Sequence, residues 1–236
     1  MKKLKNWDNK TWLSSNAYIS SFNSFLLKKK KLNKNSKILD IGCGRGKIFG
    51  SLSRKLKLNN KPIGIDPVNH KDVDKSIDFR NEDIFKFFKN NQNKFDLIMI
   101  KQTLHLINKE KRSKLIKTCK NSLKKKGVLL IFSLNTLNNE IPCFKIMKQK
   151  LNRGLKRDSR MLKSASKILK DNKIDRFKFK VSITKNKYTQ MLKQKYISCL
   201  INLSKSQIIK GIDELKYVYS NKIIFKDTLI CIKYKN

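Results

Sequence analysis

The chain has 236 residues, of which 39% are hydrophobic and 31% are charged. This length supports one sizeable core but is short for two, and no apolar run approaches the ~18 residues needed to span a bilayer. The basic start, Met1–Asn6, has no apolar continuation, so the sequence predicts no signal peptide. We therefore expect a cytoplasmic globular protein and neither a membrane-spanning nor a secreted one.

The formal net charge is +40, from 57 basic and 17 acidic residues. A basic surface can bind nucleic acid. Here, however, the excess is almost all lysine and is spread along the whole chain, whereas base readers and bidentate phosphate clamps favour arginine. The abundance of Lys, Asn and Ile favours codon drift in an AT-rich genome. Nucleic acid therefore stays open as a partner but is less favoured than a small molecule.

The cysteines are five in number and widely scattered, and no pair has the spacing of metal ligands. They predict reduced thiols and no metal site. Cys143 follows a proline, but its surroundings do not favour a nucleophile, because a buried cysteine usually acts as a small hydrophobic residue.

The most informative stretch is Lys37–Leu52, KILDIGCGRGKIFGSL. An apolar run predicts a short buried strand, and an amphipathic pattern predicts a helix after it. Between them stand Gly42, Gly44 and Gly46. Such a turn demands positive φ angles and lets a ligand lie against bare backbone, while the N–H groups at the helix start can bind an anionic or polar group.

The spacing of this turn selects among nucleotide-binding families. Asp40 stands two residues before Gly42, and the glycines alternate through Gly44 and Gly46, unlike the dinucleotide pattern G-x-G-x-x-G. The stretch resembles the first motif of the class I S-adenosylmethionine (SAM) dependent methyltransferases, acid-x-Gly-x-Gly-x-Gly, without a gap. The resemblance implies SAM as cofactor and an α/β, Rossmann-like, doubly wound seven-stranded sheet, mostly parallel, with an antiparallel C-terminal hairpin strand.

A second acid follows the next predicted strand, Pro62–Asp66. A parallel sheet would bring Asp66 beside the glycine turn, where a carboxylate can accept hydrogen bonds from ribose hydroxyls. The resemblance assigns this function to Asp66, with Pro67 beside it. The alternative is an aspartate that caps a turn before Pro67.

A third acid occurs in the segment that follows the third predicted strand. The resemblance places Asp83 and Ile84 against the adenine, with Glu82 as the alternative register one residue earlier. Asp83 is also suited to cap the helix that follows, and the two functions are compatible.

The fourth predicted strand, Phe95–Ile100, is an unbroken apolar run typical of a central parallel strand. In the resembled family, the residues that follow it, Lys101 and Gln102, lie beside the transferred methyl group. The string Lys101–Leu104 departs from the Asn/Asp-Pro-Pro-aromatic pattern of enzymes that methylate exocyclic amino groups of bases. The following Leu-His-Leu resembles the small-molecule, methyltransferase type 11/12-like branch. His105 is a candidate general base near neutral pH, and structural packing is the equal alternative.

The same resemblance divides the whole chain into four parts of one methyltransferase domain. We predict an N-terminal helical lid over 1–36, a SAM-binding core over 37–134, a lid and substrate insertion over 135–220, and a closing β-hairpin over 221–236. Apolar positions at helical spacing predict the lid helix, in which Trp12, Ser14 and Tyr18 could face the pocket, while the phenylalanines pack on the sheet.

The insertion contains a period-two strand, Phe177–Ile183, and helices that begin after Thr184 and Ser204. Tyr188 and Tyr196 are candidate pocket residues, with aromatic packing as the safer alternative. In the last segment, Lys226–Asp227 predicts the turn of the closing hairpin.

The function implied by the resemblance is methyl transfer from SAM to a small-molecule acceptor. The alternatives are an RNA methyltransferase that uses the basic surface, a non-catalytic SAM-binding module and, against the glycine spacing, an NAD oxidoreductase. The candidate catalytic residues are His105 and Tyr188. The candidate SAM-binding residues are Asp40, Gly42, Cys43, Gly44, Gly46, Asp66, Pro67, Asp83, Ile84, Lys101 and Gln102.

Overall fold

Seven strands form one sheet in the computed structural model, which describes residues 9–236. The strands are β1 (Ile38–Ile41), β2 (Ile63–Ile65), β3 (Asp78–Arg80), β4 (Phe95–Lys101), β5 (Leu123–Leu134), β6 (Lys173–Thr184) and β7 (Lys222–Lys235). Their order is β3-β2-β1-β4-β5-β7-β6. The first five pair in parallel, and β7 runs antiparallel to both β5 and β6. This arrangement confirms the predicted doubly wound sheet.

Helices cover both faces of this sheet. They are α1 (Asn16–Lys29), α2 (Lys47–Leu56), α3 (Ile84–Asn90), α4 (Lys109–Asn121), α5 (Lys145–Ile168), α6 (Lys185–Lys193) and α7 (Lys205–Val218). The apolar residues of α1, α2, α6 and α7 pack on one face, those of α3 and α4 on the other, and α5 contributes to both clusters. We call the first of these the α1 face.

The strand order reverses direction between β1 and β4. From β1 the chain moves outward through β2 and β3, returns to β4 on the other side of β1, and continues to β5. In open parallel sheets, ligands bind at such a switch point, outside the carboxyl ends of the strands. The ends of β1 and β4 are Ile41 and Lys101. Ile41 directly precedes the glycine turn, and Lys101 lies four residues before His105.

The predicted closing hairpin is wrong. Residues 222–235 form one continuous strand, and Asp227, expected in a turn, lies within it at 2% exposure. The inward positions continue without interruption from Phe225 through Asp227 to Leu229. Burying a carboxylate is costly unless it is hydrogen-bonded, and Trp12 Nε1 donates to Asp227 Oδ2 at 2.9 Å. β7 is antiparallel to two strands, and one of them, β6, lies within the predicted insertion over 135–220.

The predicted N-terminal helix is confirmed as α1, although the predicted lid over 1–36 extends into residues outside the described range. Phe22 is fully buried, and its ring centroid lies 4.9 Å from those of both Phe132 and Phe177. Tyr18, one turn earlier, is also fully buried. The expectation that the phenylalanines pack on the sheet is therefore confirmed for Phe22.

The local capping predictions agree with the structure. Thr184 accepts a hydrogen bond from the Lys187 N–H at the start of α6, and Ser204 forms a full capping box with Gln207 at the start of α7. These signals depend on residues three positions apart, so the sequence contains them completely.

Within residues 9–236, no helix has the length and apolar character needed to cross a membrane. No group of three or more His, Cys, Asp or Glu residues in this range is arranged to hold a metal ion. All five cysteines lie in the described range as free thiols. Burial raises the pKa of Cys143 to about 12, which leaves it protonated at neutral pH and does not favour a nucleophile.

Candidate functional site

The glycine turn connects β1 to α2 in the conformation that the sequence predicts. The φ angles of Gly42, Gly44 and Gly46 are 73°, 55° and 67°. Gly46 is the N-cap of α2 and offers no side chain to its first N–H groups. Those N–H groups lack intrahelical acceptors, so this end of α2 can hold an anionic or polar group.

The three glycines differ in what surrounds them. A β-carbon on Gly42 would lie 2.1 Å from Thr103 Oγ1, and one on Gly46 would lie 2.1 Å from Ile77 Cδ1. On Gly44 it would meet no heavy atom of the described residues within 4 Å. Gly42 and Gly46 therefore allow tight packing, whereas Gly44 leaves open a space that a side chain would fill.

Asp40 is the buried acid of this turn, at 4% exposure. Its Oδ1 has no hydrogen-bond partner among the described residues. Burial raises its pKa to about 7; Lys101 opposes that rise, and Asp66 adds to it. An unpaired buried carboxylate oxygen fits a ligand that brings a cationic hydrogen-bond donor.

Asp66 lies next to the same turn, where its position after β2 predicted it. Its Oδ2 accepts the Gly44 N–H at 3.0 Å, its Oδ1 accepts the Val68 N–H at 2.9 Å, and His70 Nε2 is 3.4 Å from Oδ1. Each carboxylate oxygen has about two acceptor positions, so these contacts leave capacity for ligand hydroxyls. Pro67 follows directly in this loop.

Asp83 caps α3, as the alternative prediction proposed. Its Oδ1 accepts the N–H groups of Phe85 and Lys86 at 2.8 and 3.3 Å. Asp83 is exposed, and Ile84 beside it is buried. The contact of Asp83 and Ile84 with adenine stays a prediction. The capping function is compatible with it, because both hydrogen bonds to the helix use Oδ1 of Asp83 and leave Oδ2 for a ligand.

Lys101 and Gln102 end β4 at the switch point. Lys101 Nζ lies 5.5 Å from the ring centroids of both Tyr18 and Phe22, so its ammonium is held under α1 by two aromatic faces. Gln102 has a φ of 51°, which is unusual for a residue with a side chain. Such strained backbone costs about 1–3 kcal/mol and clusters at functional sites.

His105 lies in the 3₁₀ turn Leu104–Leu106 that follows β4. Burial lowers its pKa below 6.5, Asp158 of α5 raises it, and Arg157 and Arg112 lower it. The imidazole is therefore mainly neutral at pH 7 and can accept a proton. Its role as a base stays a prediction.

Tyr188 belongs to α6 and packs in an aromatic cluster with Tyr196 and Phe225. Its hydroxyl donates to the Pro142 carbonyl and is 3.1 Å from the Tyr196 hydroxyl. Burial raises the pKa of both phenols. These contacts favour the packing alternative, because a base would need the phenolate form and a free approach for the acceptor.

The residues of the predicted lid divide between two environments. Ser14 lines an open groove of about 530 Å³ that also includes Arg45 and Lys47 at the start of α2. Trp12 and Tyr18 point instead into the α1 face, where Trp12 is 5% exposed. Only Ser14 of the three predicted pocket-facing residues borders a described groove.

Three residues with specific contacts in the structure were not predicted from the sequence to have them. Thr103 packs against Gly42, His70 lies against Asp66, and Asp227 bonds to Trp12. The sequence contained a signal for Asp227 alone, because alternate positions from 223 to 231 are apolar except for this one.

A family model described as "Methyltransferase domain" matches residues 38–127 of the chain. The matched segment begins with β1 and runs into β5, so it includes the glycine turn, Asp66, Asp83 and the end of β4. No curated protein matches the chain.

Solved structures with similar folds cover most of the chain. A methyltransferase from an antibiotic biosynthesis pathway of Anabaena variabilis has a TM-score of 0.59 at 13% identity, over 89% of this chain and 95% of its own. A SAM-dependent methyltransferase from Archaeoglobus fulgidus gives 0.52 at 17%, with 93% of each chain covered. The plantazolicin methyltransferase BpumL, in complex with a pentazolic desmethylPZN analog and SAH, gives 0.53 at 17%, over 98% and 88%. At these identities the likeness concerns the fold.

Proposed function

We propose that this chain is a class I SAM-dependent methyltransferase and that it transfers the methyl group of SAM to a small-molecule acceptor. The observation that carries the proposal is the turn of three positive-φ glycines in which Gly44 borders open space and the neighbouring Asp40 has an unpaired buried oxygen. SAM brings an ammonium group, a sulfonium and a ribose. The residues present fit these groups, because Asp40 Oδ1 has no hydrogen-bond partner among the described residues and Asp66 has acceptor capacity left.

Each part of SAM has proposed binding residues at the switch point. The Gly42–Gly46 turn, with Cys43, and Asp40 would hold the methionine part. Asp66 and Pro67 would hold the ribose, and Asp83 with Ile84 the adenine. Lys101 and Gln102 would border the reacting group.

When bound, SAM supplies an electrophilic methyl carbon on its sulfonium. The work of the protein residues is to hold the acceptor in line with that carbon and to keep water out. β1 and most of β4 are buried in the sheet. Residues at their carboxyl ends are therefore held in fixed positions, which suits this positioning function.

Two observations support a small-molecule acceptor. The residues after β4 lack the Asn/Asp-Pro-Pro-aromatic string of enzymes that methylate exocyclic amino groups of bases. Two of the similar structures belong, by their titles, to an antibiotic biosynthesis pathway and to plantazolicin methylation. An RNA acceptor would instead show itself by steep loss of binding between about 50 and 200 mM salt.

A base is needed only if the acceptor is a hydroxyl or a protonated amine. Two residues were proposed from the sequence. His105 is the better candidate, because its lowered pKa leaves it neutral, whereas the hydroxyl of Tyr188 already donates a hydrogen bond in the core.

A cytoplasmic location stays a prediction.

Titration calorimetry with SAM tests the proposal. We expect saturable one-site binding by the wild type and a Kd at least about tenfold weaker for Asp66→Asn, since a hydrogen bond to a charged group contributes about 1.5–3 kcal/mol. Asp78→Asn is the matched control, because this neighbouring strand carboxylate is half-exposed and bonds to Arg80. Absence of saturable binding, or an unchanged Kd in Asp66→Asn, contradicts the proposal.

A labelling experiment identifies the acceptor. The protein is incubated with isotope-labelled SAM and, in separate reactions, with a low-molecular-mass metabolite extract and with total cellular RNA, and labelled products are found by mass spectrometry. The proposal predicts a labelled small molecule, whereas label only in an RNA fraction contradicts the small-molecule assignment.

A further inference from the structure

One outer edge of the sheet is formed by β6, which pairs with β7 on one side and, within residues 9–236, with no strand on the other. Beside this edge lies an open groove of about 610 Å³, which we call the edge groove. It is lined by Ser21, Ser24, Phe25 and Lys28 of α1 and by Ile174–Lys178 of β6. None of these residues belongs to the proposed SAM site, so the edge groove is a separate feature of the molecule.

One hydrogen bond at the end of the β6–β7 ladder determines which backbone groups of β6 face the edge groove. The Lys185 N–H donates to the Asn221 carbonyl at 2.9 Å, in the register that continues the ladder. Odd-numbered residues of β6 therefore bond to β7. Because backbone groups alternate between the two sides of an antiparallel strand, the N–H and C=O groups of Ile174, Arg176 and Lys178 point away from β7.

The edge groove carries positive charge that no described residue neutralises. Lys28, Arg176 and Lys178 are exposed, and their side chains form no hydrogen bond or ion pair with another residue of the range 9–236. The carboxylate that lines the groove, Asp175, lies 2.9 Å from Lys29 Nζ and is therefore already paired. An occupant that brings carboxylates would meet three cations without breaking an existing ion pair.

The α1 wall of the edge groove offers a different surface. Phe25 is half-buried, and its ring centroid lies 6.0 Å from that of Phe132 and 5.6 Å from that of Phe177, so it is held against the sheet. The Ser21 and Ser24 hydroxyls form no hydrogen bond with another described residue. Apolar side chains of an occupant would therefore pack on Phe25, with hydroxyl groups on either side of the contact.

We infer that the edge groove binds an extended acidic segment of a partner protein, which adds to β6 as an antiparallel strand. The backbone of the segment would bond to the outward N–H and C=O groups of Ile174, Arg176 and Lys178, the mode of recognition known as strand addition. This inference is independent of the proposed methyl transfer.

The pattern of the segment follows from the geometry of strand pairing. Residues directly opposite each other on antiparallel strands share a face of the sheet. Acidic side chains opposite Arg176 and Lys178 would therefore lie beside these cations. The side chains between them point to the other face, toward Phe25 of α1. The edge groove thus fits a segment in which acidic and apolar residues alternate.

The charge of β6 argues against a second copy of this chain as the occupant. The strand carries four basic residues and one acid, and that acid is paired with Lys29. Two such edges would bring like charges opposite each other, which destabilises a sheet. A nucleic acid would meet the same cations, but it has no peptide groups with which to extend the ladder. An acidic protein segment is the occupant that uses both the charges and the outward backbone groups.

Fluorescence polarisation with a labelled peptide of alternating glutamate and valine tests the inference. Valine favours an extended backbone, and glutamate supplies a carboxylate at every second position. We expect the wild type to bind this peptide saturably and not to bind a matched peptide in which lysine replaces glutamate. Absence of saturable binding of the glutamate peptide, or equal binding of the lysine peptide, overturns the inference.

Charge reversal locates the peptide on the protein. Arg176→Glu combined with Lys178→Glu should weaken binding at least about tenfold, because each change replaces an attraction by a repulsion. Lys205→Glu combined with Lys210→Glu is the matched control, with the same change in net charge at exposed positions of α7, outside the edge groove. Equal weakening in the two double variants would show attraction to net charge alone and overturns the assignment.

Methylation of the peptide nitrogens tests the strand pairing in the wild type, so this result does not depend on the folding of a variant. In the proposed pairing the glutamate N–H groups bond to β6 and the valine N–H groups point to solvent. N-methylation of the central glutamate should weaken binding at least about tenfold, and N-methylation of the neighbouring valine should leave it unchanged. An effect at the valine as large as that at the glutamate overturns the pairing.

A labelled oligouridylate separates a protein partner from nucleic acid. It is titrated into the wild type and both double variants in the same buffer as the peptide. We expect the change at Arg176 and Lys178 to weaken the peptide more than the oligouridylate. If it weakens the oligouridylate alone, the edge groove is a nucleic-acid site and the inference is overturned.

Discussion

Replacing Asp40 by asparagine should make the protein more stable above pH 7 and, at the same time, weaken its binding of SAM. Burial raises the folded-state pKa of Asp40 to about 7, against an ordinary value of 3.8. The folded protein therefore retains a proton on Asp40 at pH values where the unfolded chain has lost it. Asparagine keeps the shape of the side chain and carries no charge to bury.

The sign of the pH dependence follows from proton binding. Between pH 4 and pH 7 the folded state binds more protons at Asp40 than the unfolded state, so this group lowers the free energy of unfolding as pH rises. Its contribution is complete below pH 4 and is lost by pH 7, a change of about 4 kcal/mol at 1.36 kcal/mol per pKa unit. Asp40→Asn should remove this dependence.

Urea unfolding at pH 5 and pH 8 measures the effect on stability. The wild type should lose about 3 kcal/mol between the two values through Asp40, because about two pKa units lie between pH 5 and the folded-state pKa. Asp40→Asn should lose less, leaving it the more stable protein at pH 8. Asp213→Asn is the control, because the Asp213 side chain is half-exposed and paired with Lys216 on α7. A variant as pH-sensitive as the wild type would show that Asp40 is not protonated near neutrality.

The affinity for SAM should depend on pH in the opposite direction to stability. The cationic ligand favours ionised Asp40, so the wild-type Kd should tighten as pH rises through 7, and binding at pH 7 should release a proton. Calorimetry in buffers of different ionisation enthalpy detects that proton. In Asp40→Asn both effects should disappear and the Kd should weaken by about tenfold or more.

Replacing Gly44 by alanine should abolish SAM binding while the protein stays folded. The φ of Gly44 is 55°, and an alanine there costs about 1–2 kcal/mol without meeting any described atom. Its β-carbon would instead fill the space proposed for SAM. We expect calorimetry to find a Kd at least about 10²-fold weaker, with the melting temperature only slightly lowered.

Alanine substitutions at two other glycines serve as controls for this result. Gly154→Ala, in α5, also meets no atom within 4 Å and should raise stability by up to about 1 kcal/mol without affecting SAM. Gly42→Ala should unfold the protein, because its β-carbon would overlap the Thr103 side chain. Wild-type SAM affinity in folded Gly44→Ala would show that the cofactor does not approach the turn.

The parts of the fold that the sequence predicted are those specified by neighbouring residues. An apolar run, three alternating glycines and a helix start are contiguous, so the strand–turn–helix unit around Gly44 could be located before any tertiary contact was known. Asp66 could be placed as well, because parallel strands bring their carboxyl ends together. The caps at Thr184 and Ser204 are local in the same way.

The features that escaped prediction depend on contacts between distant residues. Lys226–Asp227 has the composition of a turn, but Trp12, 215 positions away, supplies the hydrogen bond that lets Asp227 enter the sheet. The hydrogen bonding of the Tyr18 and Tyr188 hydroxyls could not be predicted from the sequence either. Both are buried tyrosines, and only the structure shows that the hydroxyl of Tyr188 is paired and that of Tyr18 is not.

The position of β7 has a consequence for biosynthesis. This strand is the last of the seven to leave the ribosome, yet it lies between β5 and β6. Until residues 222–235 emerge, β5 has an open edge and β6 has no partner, and unpaired edges of this kind promote aggregation. We expect the nascent chain to depend on chaperones at this stage, and its methyl-transfer activity to appear only once translation has passed β7.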